Sequence, residues 1–146
     1  MDISSKSGYP SSALSNFAPH PFVLDGVEIN SMEGFLQSLK FKSPDMQEYV
    51  CKLVGAAAKK KGSDKNWKKT QTLYWRGKEI DRHSDEYQEL LDRAYDALFQ
   101  NEGFKKALLA SKDSVYKHSM GKSNPKDTIL TTSEFCSRLT KLRNRL

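Results

Sequence analysis

Residues 31–41 read SMEGFLQSLKF and set three polar side chains beside an apolar stripe. Glu33 and Gln37 are four positions apart and Lys40 is three further on, so on a helix they lie along one side. Met32, Phe35, Leu36 and Leu39 supply the stripe. In a cleft, the carboxylate can act as a general base or stabilise a developing cation. The amine can bind phosphate or attack a carbonyl. The same spacing also describes the wetted side of an ordinary surface helix, and spacing alone leaves both readings open.

The elements that would position this helix are marked by local signals. PFVLDGVEI places Asp25-Gly26 between two short apolar runs, the signature of a tight hairpin whose turn needs positive φ at both positions. Ser31 is the expected cap of a helix over 32–41, with Glu33 favoured in its first turn by the helix dipole. Ser43-Pro44 opens a second helix, with Tyr49, Val50, Leu53 and Val54 as its inner face. Residues 59–71 are polar and lysine-rich and are expected to form a loop. LYWRGKEI holds a strand and a turn. Ser84 caps a long helix to about Gln100, Asn101 caps a shorter one, and Thr131 with Glu134 forms a capping box for the last. Gly121 and Pro125 interrupt the segment before it. The expected fold is mainly α with short β-strands (α+β). It comprises a flexible N-terminal segment, 1–13, and one domain over 14–146.

Composition bounds the function. The 146 residues suffice for one core, and 37% hydrophobic with 29% charged residues is the balance of a soluble globular protein. No apolar run approaches the length of a membrane span, and MDISSKSGYPSS lacks the apolar segment of a secretory signal. An intracellular, cytoplasmic protein without membrane partners is expected. Cys51 and Cys136 are too few and too far apart to indicate a disulfide or a metal site, and His20, His83 and His118 have no metal-ligand spacing. No metal and no cofactor are expected; there is no P-loop, dinucleotide-binding glycine motif or nucleophile elbow. The net charge is +6. Lys59, Lys60, Lys61, Lys65, Lys68 and Lys69 cluster around Trp67, a pattern that suits a phosphate backbone and a base to stack on, or simply a solvated lysine loop.

These residues resemble the NADAR family, which includes the YbiA-like proteins. Ser15, Asn16 and Phe17 match that family's S-N-F motif. Glu33, Gln37, Lys40 and Phe41 match its E-H-x-x-Q-x-x-K-F helix in register. Gly55–Lys61 and Trp67 are similar to a small and basic stretch leading to a tryptophan, and His118 to a later histidine. Gly34 stands where the family often has histidine, and NPKDTIL replaces a glycine-rich stretch, which marks a divergent branch.

The resemblance implies a single NADAR-like N-glycosidase domain that hydrolyses a ribose–nitrogen bond. The expected substrate is ADP-ribosylated DNA, single-stranded by preference because flipping a base out of a duplex is costly, or an ADP-ribose-like nucleotide. Removal of ADP-ribose from guanine would reverse DNA ADP-ribosylation in an antitoxin-like or counter-defence role. One alternative is cleavage of riboflavin-pathway intermediates; another is a non-catalytic module that binds ADP-ribose or nucleic acid. Glu33 and Lys40 are the implied catalytic residues. Asn16, Phe17, Gln37, Trp67 and His118 are the implied substrate contacts, and the 59–69 lysines the implied nucleic-acid contacts.

Overall fold

In the computed structural model, which describes all 146 residues, side-chain caps start five of the seven helices. The elements run α1 (Ser11–Leu14), β1 (Phe22–Leu24), β2 (Val27–Ile29), α2 (Met32–Ser38), α3 (Pro44–Cys51), α4 (Gly55–Ser63), a 3-10 turn (Trp67–Lys69), β3 (Thr72–Trp75), β4 (Lys78–Asp81), α5 (Asp85–Leu98), α6 (Glu102–Ala110) and α7 (Thr132–Arg143). The strands form two separate antiparallel hairpins. This is an α+β domain.

Both hairpins close through a residue pair at positive φ. Asp25 and Gly26 have φ of 50° and 78°, and Arg76 and Gly77 have 50° and 86°, as a two-residue turn between twisted strands requires. Register pairs Val23 with Glu28 and Tyr74 with Glu79. Asp25 then ties three elements together. It accepts from the Trp75 indole N–H at 2.8 Å and from Arg93 of α5 at 2.8 Å.

One apolar core joins the hairpins to α2, α5, α6 and α7. Ser84 accepts from the Tyr87 N–H, and α5 turns Tyr87, Leu90, Leu91, Ala94, Tyr95 and Leu98 inward at helical spacing. The α7 capping box is complete. Glu134 serves it and also receives a two-pronged bond from Arg82, at 2.7 and 3.1 Å. Arg82 is 1% exposed, so this pair links β4 to α7 at a point where an unpaired charge would be costly.

Three expectations are corrected. The N-terminal segment is packed, not loose: Ile3 is fully buried, its N–H donates to the Lys117 carbonyl at 2.8 Å, and Asp2 accepts from Ser119. A serine-rich composition concealed a single apolar anchor with backbone pairing. Residues 59–63 belong to α4 instead of a loop, because Ala and Lys are good helix formers even where no apolar stripe advertises it. In α3, Tyr49 faces outward, 54% exposed, and Gln47 takes the inward place, donating to the Ser38 and Tyr74 carbonyls and accepting from the Arg76 N–H. The helix also ends at Cys51, so Leu53 and Val54 lie beyond it.

Candidate functional site

The site is built on α2. Ser31 accepts from the Gly34 N–H at 3.0 Å and donates to the Leu53 carbonyl at 2.9 Å, which fixes the start of the helix on the segment after α3. Glu33 sits in the first turn, and its N–H donates to the Asn16 carbonyl at 2.9 Å. The S-N-F segment is thereby bound to the acid it accompanies. Asn16 is held a second time, its side-chain oxygen accepting from the Tyr95 hydroxyl at 2.8 Å.

Past Ser38, the N–H groups of Lys40 and Phe41 donate three residues back, to Gln37 and Ser38. This tighter winding brings positions three apart towards register, which places Lys40 on the same side of the segment as Gln37. Gln37 in turn donates from its amide nitrogen to Glu33 Oε2 at 2.6 Å. The acid, amide and amine therefore line one side of the segment as a column, with the Glu33 charge acting on Lys40.

The electrostatics of the column are those of a recess. Burial pushes the Glu33 carboxyl above its ordinary value, opposed by the Gln37 bond and by the charges of Lys59, Lys40 and His118. Burial pulls Lys40 below the ordinary lysine value. The Glu33 charge opposes that, and the charges of Lys68, Lys59 and Lys122 reinforce it. Lys59 of α4, Lys68 of the 3-10 turn and Lys122 of the 118–130 segment thus act on Lys40, which with Lys59 acts on the Glu33 acid.

His118 acts on the same acid from the opposite side of the chain. Its Nδ1 lies 2.8 Å from the Ile3 carbonyl, and its ring meets Phe135 edge-on at 5.3 Å. A carbonyl only accepts, so Nδ1 carries the proton. In the neutral ring Nε2 is then left as the acceptor.

The remaining candidates make contacts of their own. Trp67 is 6% exposed and part of the apolar core. Phe17 lies against Gly55, whose φ of +57° reverses the chain into α4. Phe41 is buried under Lys65, with Nζ 5.1 Å from the ring centre, and Lys61 sits over Tyr49 at 5.6 Å. Lys60 and Lys69 are exposed. No group of His, Cys, Asp and Glu is arranged to hold a metal ion, and burial pushes the Cys51 thiol up to about 11. Gly34 admits no side chain at all. A Cβ there would stand 2.6 Å from the Leu53 carbonyl oxygen and 3.0 and 3.1 Å from those of Val50 and Cys51.

Two contributors escape the sequence reading. Lys122 lies in a segment with no periodicity, and only folding brings it to Lys40. Tyr95 reads as part of an apolar face, and its hydroxyl contact with Asn16 spans 79 residues.

Comparison with known proteins agrees with this architecture. The family described as Bacteriophage protein GP30.3 matches residues 8–144. An uncharacterized 17.1 kDa protein of the Gp30-rIII intergenic region of Enterobacteria phage T4 is 43% identical over 151 residues, spanning 100% of this chain and 98% of its own. The NMR structure of the E. coli protein YbiA aligns with 99% of this chain and 83% of its own, with a TM-score of 0.65 at 19% identity. The fold is shared with YbiA, as the resemblance to the NADAR family implies.

Proposed function

From the premise that the chain belongs to the Bacteriophage protein GP30.3 family and folds as YbiA does, we propose that it is an N-glycosidase that removes ADP-ribose from guanine bases in DNA. The observation that carries this reading is the recessed column: a desolvated carboxylate, bonded to one amide, beside a desolvated lysine.

Departure of the base breaks the bond from C1′ to nitrogen and leaves positive charge on the anomeric carbon. The Glu33 carboxylate stabilises that charge or takes a proton from the attacking water. Water adds at C1′, and the base leaves with a proton. His118 is the candidate source of that proton once its ring is charged.

Lys40 has two roles open to it. As a cation it holds a phosphate. As a free amine it attacks the aldehyde of the opened ribose, forming a Schiff base that water later hydrolyses to return the amine. Desolvation and the surrounding lysines favour the free amine. Asn16 and Gln37 supply neutral hydrogen bonds for ribose or base.

Two observations support DNA as the bearer of the modification. The lysines on α4 and the 3-10 turn form a cationic rim that a small metabolite does not require. A phage relative fits a counter-defence role, in which modification of nucleic acid is undone. The test is a substrate comparison. A single-stranded oligonucleotide with one ADP-ribosyl-guanine is set against free nucleotide intermediates of riboflavin synthesis, with products read by mass spectrometry. Release of ADP-ribose from the oligonucleotide is expected, and cleavage of the free nucleotides alone would overturn the DNA assignment. Binding should weaken with salt, at about 0.9 in log–log slope per phosphate neutralised on duplex DNA and somewhat less on single strands.

A further inference from the structure

Gly62 lies on α4, buried, inside a helix where glycine is less favourable than alanine. Its role is visible across the α2–α4 contact. A Cβ at Gly62 would fall 1.9 Å from Gln37 Oε1, 2.8 Å from Cδ and 3.1 Å from Cβ. Gln37 is 6% exposed, and its Oε1 is buried with no N–H or O–H partner. The oxygen therefore rests where a Gly62 Cα hydrogen points, a weak C–H···O contact that only glycine offers in that direction.

The amide has two faces to satisfy. With Nε2 toward Glu33 it donates to the carboxylate, and Oε1 meets the glycine. Turned over, the oxygen would oppose the carboxylate and the NH2 group would face a C–H. The missing side chain thus sets the place of the one amide bond that the acid receives, and the carboxylate sets its sense.

We propose that Gly62 is a positioning residue for Glu33, acting through Gln37. As a statement about activity this rests on the N-glycosidase reading. As a statement about Glu33 it can be tested without turnover.

Glu33 faces Gln37 and Lys40 along its own helix and winding, Lys59 from α4, His118 from the 118–130 segment and Tyr95 from α5. Gln37 favours the ionised acid. Displacing the amide should raise the titration midpoint of Glu33 further. The experiment is a carboxyl-carbon NMR titration of Glu33, assigned with Glu33→Gln, in wild type, Gly62→Ala, Gln37→Ala and the double variant. Gly62→Ala should raise the midpoint as Gln37→Ala does, and the double variant should match Gln37→Ala alone, since both changes remove one bond. Where turnover is measurable, the acid limb of its pH profile should move the same way and kcat should fall roughly 10²-fold.

Gly62→Ala titrating as wild type, or the two changes adding, would overturn the proposal. If Gly62→Ala does not fold, a folded double variant with the Gln37→Ala midpoint supports it, because truncating Gln37 removes the two closest contacts, Oε1 and Cδ, and leaves only its Cβ at 3.1 Å from the methyl. A double variant that also fails to fold overturns it. A raised midpoint in a protein with no glycosidase activity would leave the positioning role standing and remove the functional reading.

Discussion

Replacing Glu33 by glutamine should raise stability at neutral pH while abolishing activity, and the two effects have one cause. Burial disfavours the ionised acid, and the Gln37 bond with the Lys59, Lys40 and His118 charges does not fully offset it. An imperfectly compensated buried charge costs about 2 kcal/mol. Glutamine keeps the shape and a bond to Gln37 but gives up roughly 1 kcal/mol of charge-assisted strength. The balance is a gain of about 1 kcal/mol, or about 3 °C in Tm for a chain of this length. The pH dependence gives the sharper check. The folded midpoint lies above the ordinary 4.5. Between 4.5 and that midpoint the folded protein keeps a proton that the unfolded chain has released, so wild-type stability falls as pH rises through the window. The glutamine variant carries no such term. Urea unfolding of both proteins at a series of pH values should show their difference opening above pH 4.5 and levelling off once the pH passes the folded midpoint. A Glu33→Gln protein less stable than wild type at pH 7.5, or a difference constant with pH, would refute the reasoning.

Three further outcomes follow from packing. Ile3→Ala should cost about 2–4 kcal/mol in urea unfolding despite its place in the N-terminal segment, because the side chain is fully buried. Gly34→Ala should cost about 3 kcal/mol or more, since the three oxygens around the new methyl are backbone and cannot swing aside; thermal melts check this. Glu134→Ala should cost about 3–5 kcal/mol by stranding buried Arg82. Burial alone would raise the Glu134 carboxyl, but bonds from Arg82, Gln88 and the Thr131 N–H outweigh it and hold it below its ordinary value. Its contribution is therefore complete above pH 4.5 and lost as pH falls through the folded midpoint, which acid titrations of stability at both residues will show.

Local rules carry far in this chain. Asp25-Gly26, Ser31, Ser43, Ser84, Asn101 and the Thr131/Glu134 pair each act within a few residues, and the structure places a turn or cap at every one. The column of Glu33, Gln37 and Lys40 is equally local, a consequence of helical and 3-10 spacing. What the sequence hides is non-local. Desolvation of Glu33, the reach of Lys122 and the hydroxyl of Tyr95 depend on segments far apart in the chain. Trp67 shows the same limit in reverse. Lysines around an aromatic suit a stacking platform, yet the indole is drawn into the core while the lysines stay in water. Ile3 and Gly62 leave no pattern at all, being single residues whose meaning lies in what packs on them.

The central claim is that the recessed acid on α2 cleaves a ribose–nitrogen bond, and a quenched time course tests it most directly. Wild type and Glu33→Gln, each shown to be folded, are incubated with an oligonucleotide bearing ADP-ribosyl-guanine, and free ADP-ribose and restored guanine are quantified by mass spectrometry. Equal amounts of both products from wild type, and none from the more stable variant, are predicted. Release by both proteins, or intact substrate with both, would contradict the account.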